Sequence, residues 1–272
     1  MKDQTIGFIG GGNMASAMIG GMLHSRLCHK EQIIATARTQ ASLDRLSGAY
    51  GIQTTFDNRK AAGQSDILVL AVKPYLYENI IKEIRDETDD TKIIVAIAAG
   101  VSLAQLNRYF GKPMKIIRAM PNTPAMVSEA MSALTPNEYA SEDDLQTVVE
   151  IFKSFGEAEV VPESLMDAVI GVSGSSPAYV YLFIEAMADA AVADGMPRAQ
   201  AYKFAAQAVS GAAKMVLETE KHPGELKDAV CSPGGTTIEA VAALEEAGFR
   251  HAVIRAQRRC VAKSKNMGKD PV

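Results

Sequence analysis

Between Thr5 and Arg118 the chain repeats one pattern, in which short β-branched runs are separated by helix-length stretches. Strands joined through helical crossovers pair in parallel, because a parallel neighbour is reached only through a long connection. The strand runs are Thr5–Ile9, Gln32–Ala35, Ile67–Val72, Ile93–Ile97 and Lys115–Arg118, with helices expected over Met14–His24 and Ser42–Tyr50. Ile67 to Val72 is apolar throughout, as a strand covered on both faces should be. Met131–Leu134 and Glu159–Val161 are expected as late edge strands, with a helix over Ser141–Phe155 between them. The fold class that follows is α/β, with a doubly wound, mostly parallel sheet.

After Pro162 the strand runs stop. Ser164–Ile170, Pro177–Asp194, Arg198–Glu218, Pro223–Val230, Thr236–Glu246 and Ala252–Lys263 read as helices, rich in Ala, Met, Leu and Glu. The expected domains are therefore residues 1–162, carrying the sheet, and 163–272, all-α, with a polar tail fraying from Lys263. The composition excludes several classes. A net charge of −4 gives no reason to expect nucleic acid. Cys28, Cys231 and Cys260 are odd in number and far apart, which suggests neither a disulfide framework nor a metal site. Pro177–Met196 is the most apolar long segment, but Glu185, Asp189 and Asp194 interrupt it, so no membrane span is expected. With no signal peptide read in Met1–Thr5, the expected compartment is the cytoplasm.

The first strand runs into Ile9-Gly10-Gly11-Gly12-Asn13-Met14-Ala15. This is the G-x-G-x-x-A fingerprint, with Gly10 for the tight turn, Gly12 for approach to a pyrophosphate and Ala15 for close helix packing. Free N–H groups at the start of the next helix then meet the phosphates. A glycine triplet alone is weak evidence; its position between an N-terminal strand and a helix makes a Rossmann-type dinucleotide site the reading. Glu31 falls before the second strand, at the wrong end for a ribose 2′-hydroxyl. The far end reads Thr36-Ala37-Arg38, where a hydroxyl and a guanidinium suit a 2′-phosphate. NADPH is favoured and NADH stays open, since Arg38 also fits an ordinary surface arginine. Ligands of such sheets lie beyond the carboxyl ends of the strands. Those ends are Ala71-Val72-Lys73-Pro74, Ala98-Ala99-Gly100 and Met120-Pro121-Asn122-Thr123-Pro124, and Asn58 is placed near the adenosine side. Lys73 is either a cofactor partner or a surface lysine, and Asn122 either a contact or a turn-former.

In the helical half, Cys231-Ser232-Pro233-Gly234-Gly235-Thr236-Thr237 breaks one helix and opens the next. Two glycines beside a helix N-terminus expose N–H donors to a small carboxylate, and a threonine hydroxyl there can donate and accept. An ordinary glycine C-cap followed by a threonine N-cap explains the same residues equally well.

At this turn the chain resembles pyrroline-5-carboxylate reductases, whose signature surrounds Ser-Pro-Gly-Gly-x-Thr, here Ser232 to Thr237. The resemblance extends in order over Phe8–Met14, Ala71–Pro74, Ala98–Val101, Met120–Pro124 and Gly171–Tyr179, nearly the whole chain. It implies a Rossmann domain, a helical domain that binds substrate and dimerises, and dimers assembling further, commonly into a decamer. It implies NADPH-dependent reduction of a small cyclic imine carboxylate to L-proline, the last step of proline biosynthesis. Carried over residue by residue, Ile9, Gly10, Gly11, Gly12, Asn13, Met14, Thr36, Asn58, Ala71, Val72, Lys73, Pro74, Ala98, Ala99 and Gly100 match cofactor contacts, with Arg38 and Asn122 added from the reading above. Glu163, Ser232, Gly234, Gly235, Thr236 and Thr237 fall on the substrate side, Thr237 nearest the ring nitrogen as the catalytic candidate. A side-chain contact that is often asparagine in the family falls on Ala229 here. Two rival readings remain. A β-hydroxyacid dehydrogenase needs a lysine early in the second domain, but none occurs between Lys153 and Lys203. A non-catalytic NADP(H)-binding sensor has no use for the intact Gly-Gly-x-Thr turn.

Overall fold

The computed structural model describes residues 4–267. Eight strands form one sheet: β1 Ile6–Ile9, β2 Ile33–Thr36, β3 Gln53–Thr55, β4 Ile67–Leu70, β5 Ile93–Ala96, β6 Lys115–Met120, β7 Ala130–Pro136 and β8 Gly156–Val160. Their order is β3-β2-β1-β4-β5-β6-β7-β8, and every pairing is parallel except β6 with β7. The exception follows from chain length. Only a short link, containing a 3₁₀ turn at Thr123–Val127, separates Met120 from Ala130, too little for a crossover. The next link carries a whole helix, and β8 is parallel to β7 again.

The sheet's helices are α1 Asn13–His24, α2 Gln40–Tyr50, α3 Asn58–Gln64, α4 Tyr77–Ile84, α5 Leu103–Phe110 and α6 Glu142–Lys153. On one face Phe8, Val69 and Ile117 pack with Met18, Ile19, Phe152 and Phe155. On the other, Leu68, Leu70 and Ile94 pack with Tyr77, Ile81, Leu106 and Phe110. Two faces covered by helices explain why the central strands carry no alternating polar positions.

The later helices are α7 Met166–Val169, α8 Ser176–Ala193, α9 Arg198–Thr219, α10 Pro223–Val230, α11 Thr236–Glu246 and α12 Phe249–Met267. The chain divides into two compact units. One holds the sheet, residues up to Ser175 and the end of α12 from Cys260; the other is Ser176–Arg259, all helix and turn. The expected boundary at residue 162 and this division at Ser175 are different cuts through the same transition.

Several expectations are corrected. β7 is interior, between β6 and β8, and the true edges are β8 and the unforeseen β3. Ala71 and Val72 lie beyond β4, in the loop. Ser164–Ile170 is a 3₁₀ turn, then α7, then a π turn at Ile170–Gly174. The tail from Lys263 stays helical through Met267; residues 268–272 lie outside the described residues. Among the described residues no helix is long and apolar enough to cross a membrane.

Candidate functional site

Gly10 ends β1 with φ of +106°, and a Cβ there would sit 2.6 Å from the Ala71 carbonyl oxygen. Only glycine fits both the dihedral and the contact. The Gly10 N–H donates to the Thr36 hydroxyl at 3.1 Å, tying the loop to the end of β2. Thr36 is buried, so its role in the structure is to shape the loop. Gly12 then caps α1 in extended conformation, with no side-chain hydrogen bond to the helix start. A Cβ at Gly12 would meet nothing within 4 Å. The first N–H groups of a helix have no intrahelical partner, so open space beside Gly12 and an uncapped helix end fit a pyrophosphate.

Arg45, which the sequence reading missed, braces this loop from α2. Its guanidinium donates to the Gly11 carbonyl at 2.7 Å and to the Ser16 hydroxyl at 2.8 Å. Such pairings carry no local sequence signal. Arg38 is exposed just beyond β2 and joins none of the ion pairs of the described residues. Asn58 is the first residue of α3, behind an Asp57 cap, and its amide donates to Glu83 at 3.2 Å.

The ends of β4 and β5 lie side by side, at the register pair Leu70 and Ala96. Lys73 is exposed and precedes a 3₁₀ turn at Pro74–Leu76. Ala98 is buried, while Ala99 and Gly100 are partly open. Beyond β5 lies an open cavity of about 380 Å³ bordered by Gly100, Arg108, Arg118 and Lys265. Tyr77, also missed, is 1% exposed and joins the two strand ends through its hydroxyl. Burial pushes its phenol well above the ordinary range, against the smaller opposing effect of the N–H groups of Ala98 and Ile97. The hydroxyl therefore stays protonated and remains a donor.

Asn122 is a bracket. Its amide nitrogen donates to the Ser173 carbonyl and hydroxyl, and its oxygen accepts from the Met131 N–H at 3.0 Å. It binds the end of β6 to β7 and to the π turn, partners far away in sequence. Glu163 Oε1 accepts from Arg118 and from the Leu103 N–H, each at 2.8 Å, anchoring the start of α5.

In the helical unit, α10 opens behind His222, whose Nδ1 accepts from the Gly224 N–H at 3.0 Å. Past Cys231 the chain turns through Gly234, at φ of +66°, and the Gly235 N–H donates to the Ser232 carbonyl at 3.0 Å. A Cβ on Gly235 would lie 2.4 Å from the Ser232 hydroxyl. Gly235 caps α11 in extended conformation, and no side chain caps the helix. This removes the reading of the turn as a threonine N-cap. Thr236 and Thr237 occupy the first two helical positions, and neither hydroxyl returns to the helix start. The arrangement leaves the first N–H donors of α11 without a side-chain cap, next to a half-buried Thr237.

Comparison with known proteins agrees with this geometry. Residues 163–267 match the family described as pyrroline-5-carboxylate reductase dimerisation, and residues 5–100 match NADP oxidoreductase, coenzyme F420-dependent. The pyrroline-5-carboxylate reductase of Escherichia coli K12 is 52% identical over 98% of this chain and 99% of its own. The structure of the Coxiella burnetii pyrroline-5-carboxylate reductase superposes with a TM-score of 0.91 at 35% identity, covering 98% of this chain and 99% of that one. The Plasmodium falciparum pyrroline carboxylate reductase, solved with NADP bound, gives 0.89 at 31% identity with the same coverage. Full-length identity at this level, joined to a glycine loop and a Ser-Pro-Gly-Gly-Thr-Thr turn in their expected conformations, establishes that the chain belongs to the pyrroline-5-carboxylate reductase family.

Proposed function

We propose that the chain reduces 1-pyrroline-5-carboxylate to L-proline with NADPH, and that Thr237 is its catalytic residue. The observation that supports this most directly is the uncapped start of α11, where Gly235 leaves N–H donors free beside the Thr237 hydroxyl. The substrate carboxylate rests on the N–H groups of Thr236 and Thr237, with Ser232, Gly234 and Gly235 shaping the turn. The Thr237 hydroxyl holds the ring nitrogen and its proton, which makes the adjacent carbon more electrophilic. Bound NADPH supplies the hydride that this carbon accepts. Glu163 keeps the start of α5 in place, and the family resemblance assigns it to the substrate as well. The backbone of residues 9–14 holds the pyrophosphate, Arg38 the 2′-phosphate end with Thr36 bracing the loop beside it, Asn58 the adenosine side, and Ala71–Pro74 and Ala98–Gly100 the nicotinamide end, with Asn122 bracing the end of β6. Most of the rate enhancement then comes from orienting two reactants, an effect worth up to roughly 7–11 kcal/mol. Following NADPH absorbance with and without the imine tests the reading. Consumption that does not depend on the imine would sink it.

The cofactor assignment has its own test. Losing one charge-assisted contact costs about 1.5–3 kcal/mol. Arg38→Ala is therefore expected to raise KM for NADPH by roughly 10- to 100-fold while leaving KM for NADH nearly unchanged. Equal shifts for both cofactors would remove Arg38 from the 2′-phosphate.

The helical unit exposes Tyr181, Leu182, Phe204 and Leu217, each more than half accessible. Apolar side chains in such number mark a subunit interface. The dimerisation family match supports a homo-oligomer, and we propose a homodimer that assembles into a larger closed form such as a decamer, working in the cytoplasm. Sedimentation of the native chain measures its size.

A further inference from the structure

At the carboxyl end of β4 the two neighbouring strands are treated differently. Toward β1 the ladder runs one step past the strand, where the Ala71 N–H donates to the Ile9 carbonyl at 2.9 Å. Toward β5 the register stops at Leu70 and Ala96. The next place between those strands is filled by a side chain. The Tyr77 hydroxyl donates to the Leu70 carbonyl at 2.5 Å and accepts from the Ile97 and Ala98 N–H groups, both at 3.1 Å. One donor and two acceptor sites are the full capacity of a phenol. Bulk water has no access to this oxygen, so a bond lost here leaves a buried polar group unpaired. Tyr77 arrives directly from the turn at Pro74–Leu76, so the same residue also closes the loop that leaves β4.

We propose that Tyr77 is a positioning residue whose phenol oxygen keeps β4 and β5 from zipping together beyond Leu70 and Ala96, and so sets the opening between Ala71–Pro74 and Ala98–Gly100 that receives the nicotinamide half of NADPH. The inference rests on reading those two segments as cofactor contacts. Phenylalanine would fill the ring's volume but leave one carbonyl and two N–H groups facing each other across the gap. Direct pairing between the strands is the simplest repair, and it narrows the opening. The glycine loop and Arg38, proposed to hold the other end of the cofactor, make no hydrogen bond to the Tyr77 hydroxyl. The two halves of one ligand should therefore respond differently.

Full-length Tyr77→Phe tests this by calorimetry with NADPH and with 2′,5′-ADP, which carries only the adenosine end. NADPH affinity should fall about tenfold while 2′,5′-ADP affinity stays within about twofold. Turnover should fall, and exchange of the Ile97 and Ala98 amide hydrogens should change against the parent protein. Unchanged NADPH affinity and turnover would overturn the proposal, as would equal loss of both ligands, which signals general damage to the fold. If Tyr77→Phe does not fold, 4-aminophenylalanine at position 77 keeps the size but offers two donors and one weak acceptor to one carbonyl and two N–H groups, and the same split between the two ligands is required of it. The binding comparison uses no imine. A parent protein that binds NADPH but leaves the imine unreduced would count against the catalytic reading and not against the spacer.

Discussion

Thr237→Ala should lower kcat/KM for the imine by about 10²-fold, the lower end of what a positioned proton donor contributes. NADPH affinity should be unchanged, because the residues proposed to meet the cofactor's pyrophosphate, Gly10–Met14, belong to the other unit. The fold should also be unaffected. Thr237 is the second helical residue, its hydroxyl does not cap α11, and alanine is the better helix former. Tm should therefore move by under about 2 °C. Thr237→Ser keeps the hydroxyl and should recover most of the activity. Steady-state kinetics beside a thermal melt separates the cases, and parallel loss of NADPH binding and imine turnover would reduce Thr237 to a structural residue.

Gly10→Ala should severely damage both the fold of the sheet unit and its cofactor loop. The new methyl meets the Ala71 carbonyl oxygen at 2.6 Å and the Val72 side chain at 2.8 Å, and both contacts are on the loop that leaves β4. A φ of +106° adds strain of roughly 1–3 kcal/mol for any residue with a Cβ. Overpacking adds a comparable amount. Together they approach a substantial part of the roughly 5–15 kcal/mol that holds a folded protein together. The Gly10 N–H would also be drawn away from Thr36. The expected result is a sharply lower Tm and no measurable NADPH binding at micromolar protein. Gly12→Ala is the control, since a methyl there enters open space. It should fold normally and lose affinity through crowding of the ligand alone. A Gly10→Ala protein that melts and binds like the parent would mean the loop is looser than its contacts indicate.

Much of this was legible in the sequence, for identifiable reasons. The four central buried strands announce themselves because burial on both faces demands uninterrupted apolar runs. Gly10 stood out because no other residue tolerates its surroundings. β3 was missed because Gln53-Thr54-Thr55 is short, polar and at an edge, where no apolar run is needed. β7 was placed at the edge because Ser132 interrupts its run, although that side chain is fully buried. Whether the turn at Ser232–Thr237 was an ordinary threonine cap could not be decided from composition. The answer depended on which residue takes the extended conformation, and that is Gly235. Tyr77, Arg45 and the Asn122 bracket were invisible because each acts through partners that only the fold brings near.

The placement of Arg45 bears on how the enzyme responds to ionic strength. Its guanidinium donates to the Gly11 carbonyl and the Ser16 hydroxyl and so braces the loop, while the groups assigned to the pyrophosphate are neutral amides and a helix end. Exposed Arg38 is the full charge expected at the other phosphate. Added salt screens an exposed charge far more than short hydrogen bonds from neutral N–H groups. In a salt titration NADH should hold its affinity while NADPH loses its advantage, so that the preference between cofactors becomes a property of the medium as well as of the protein.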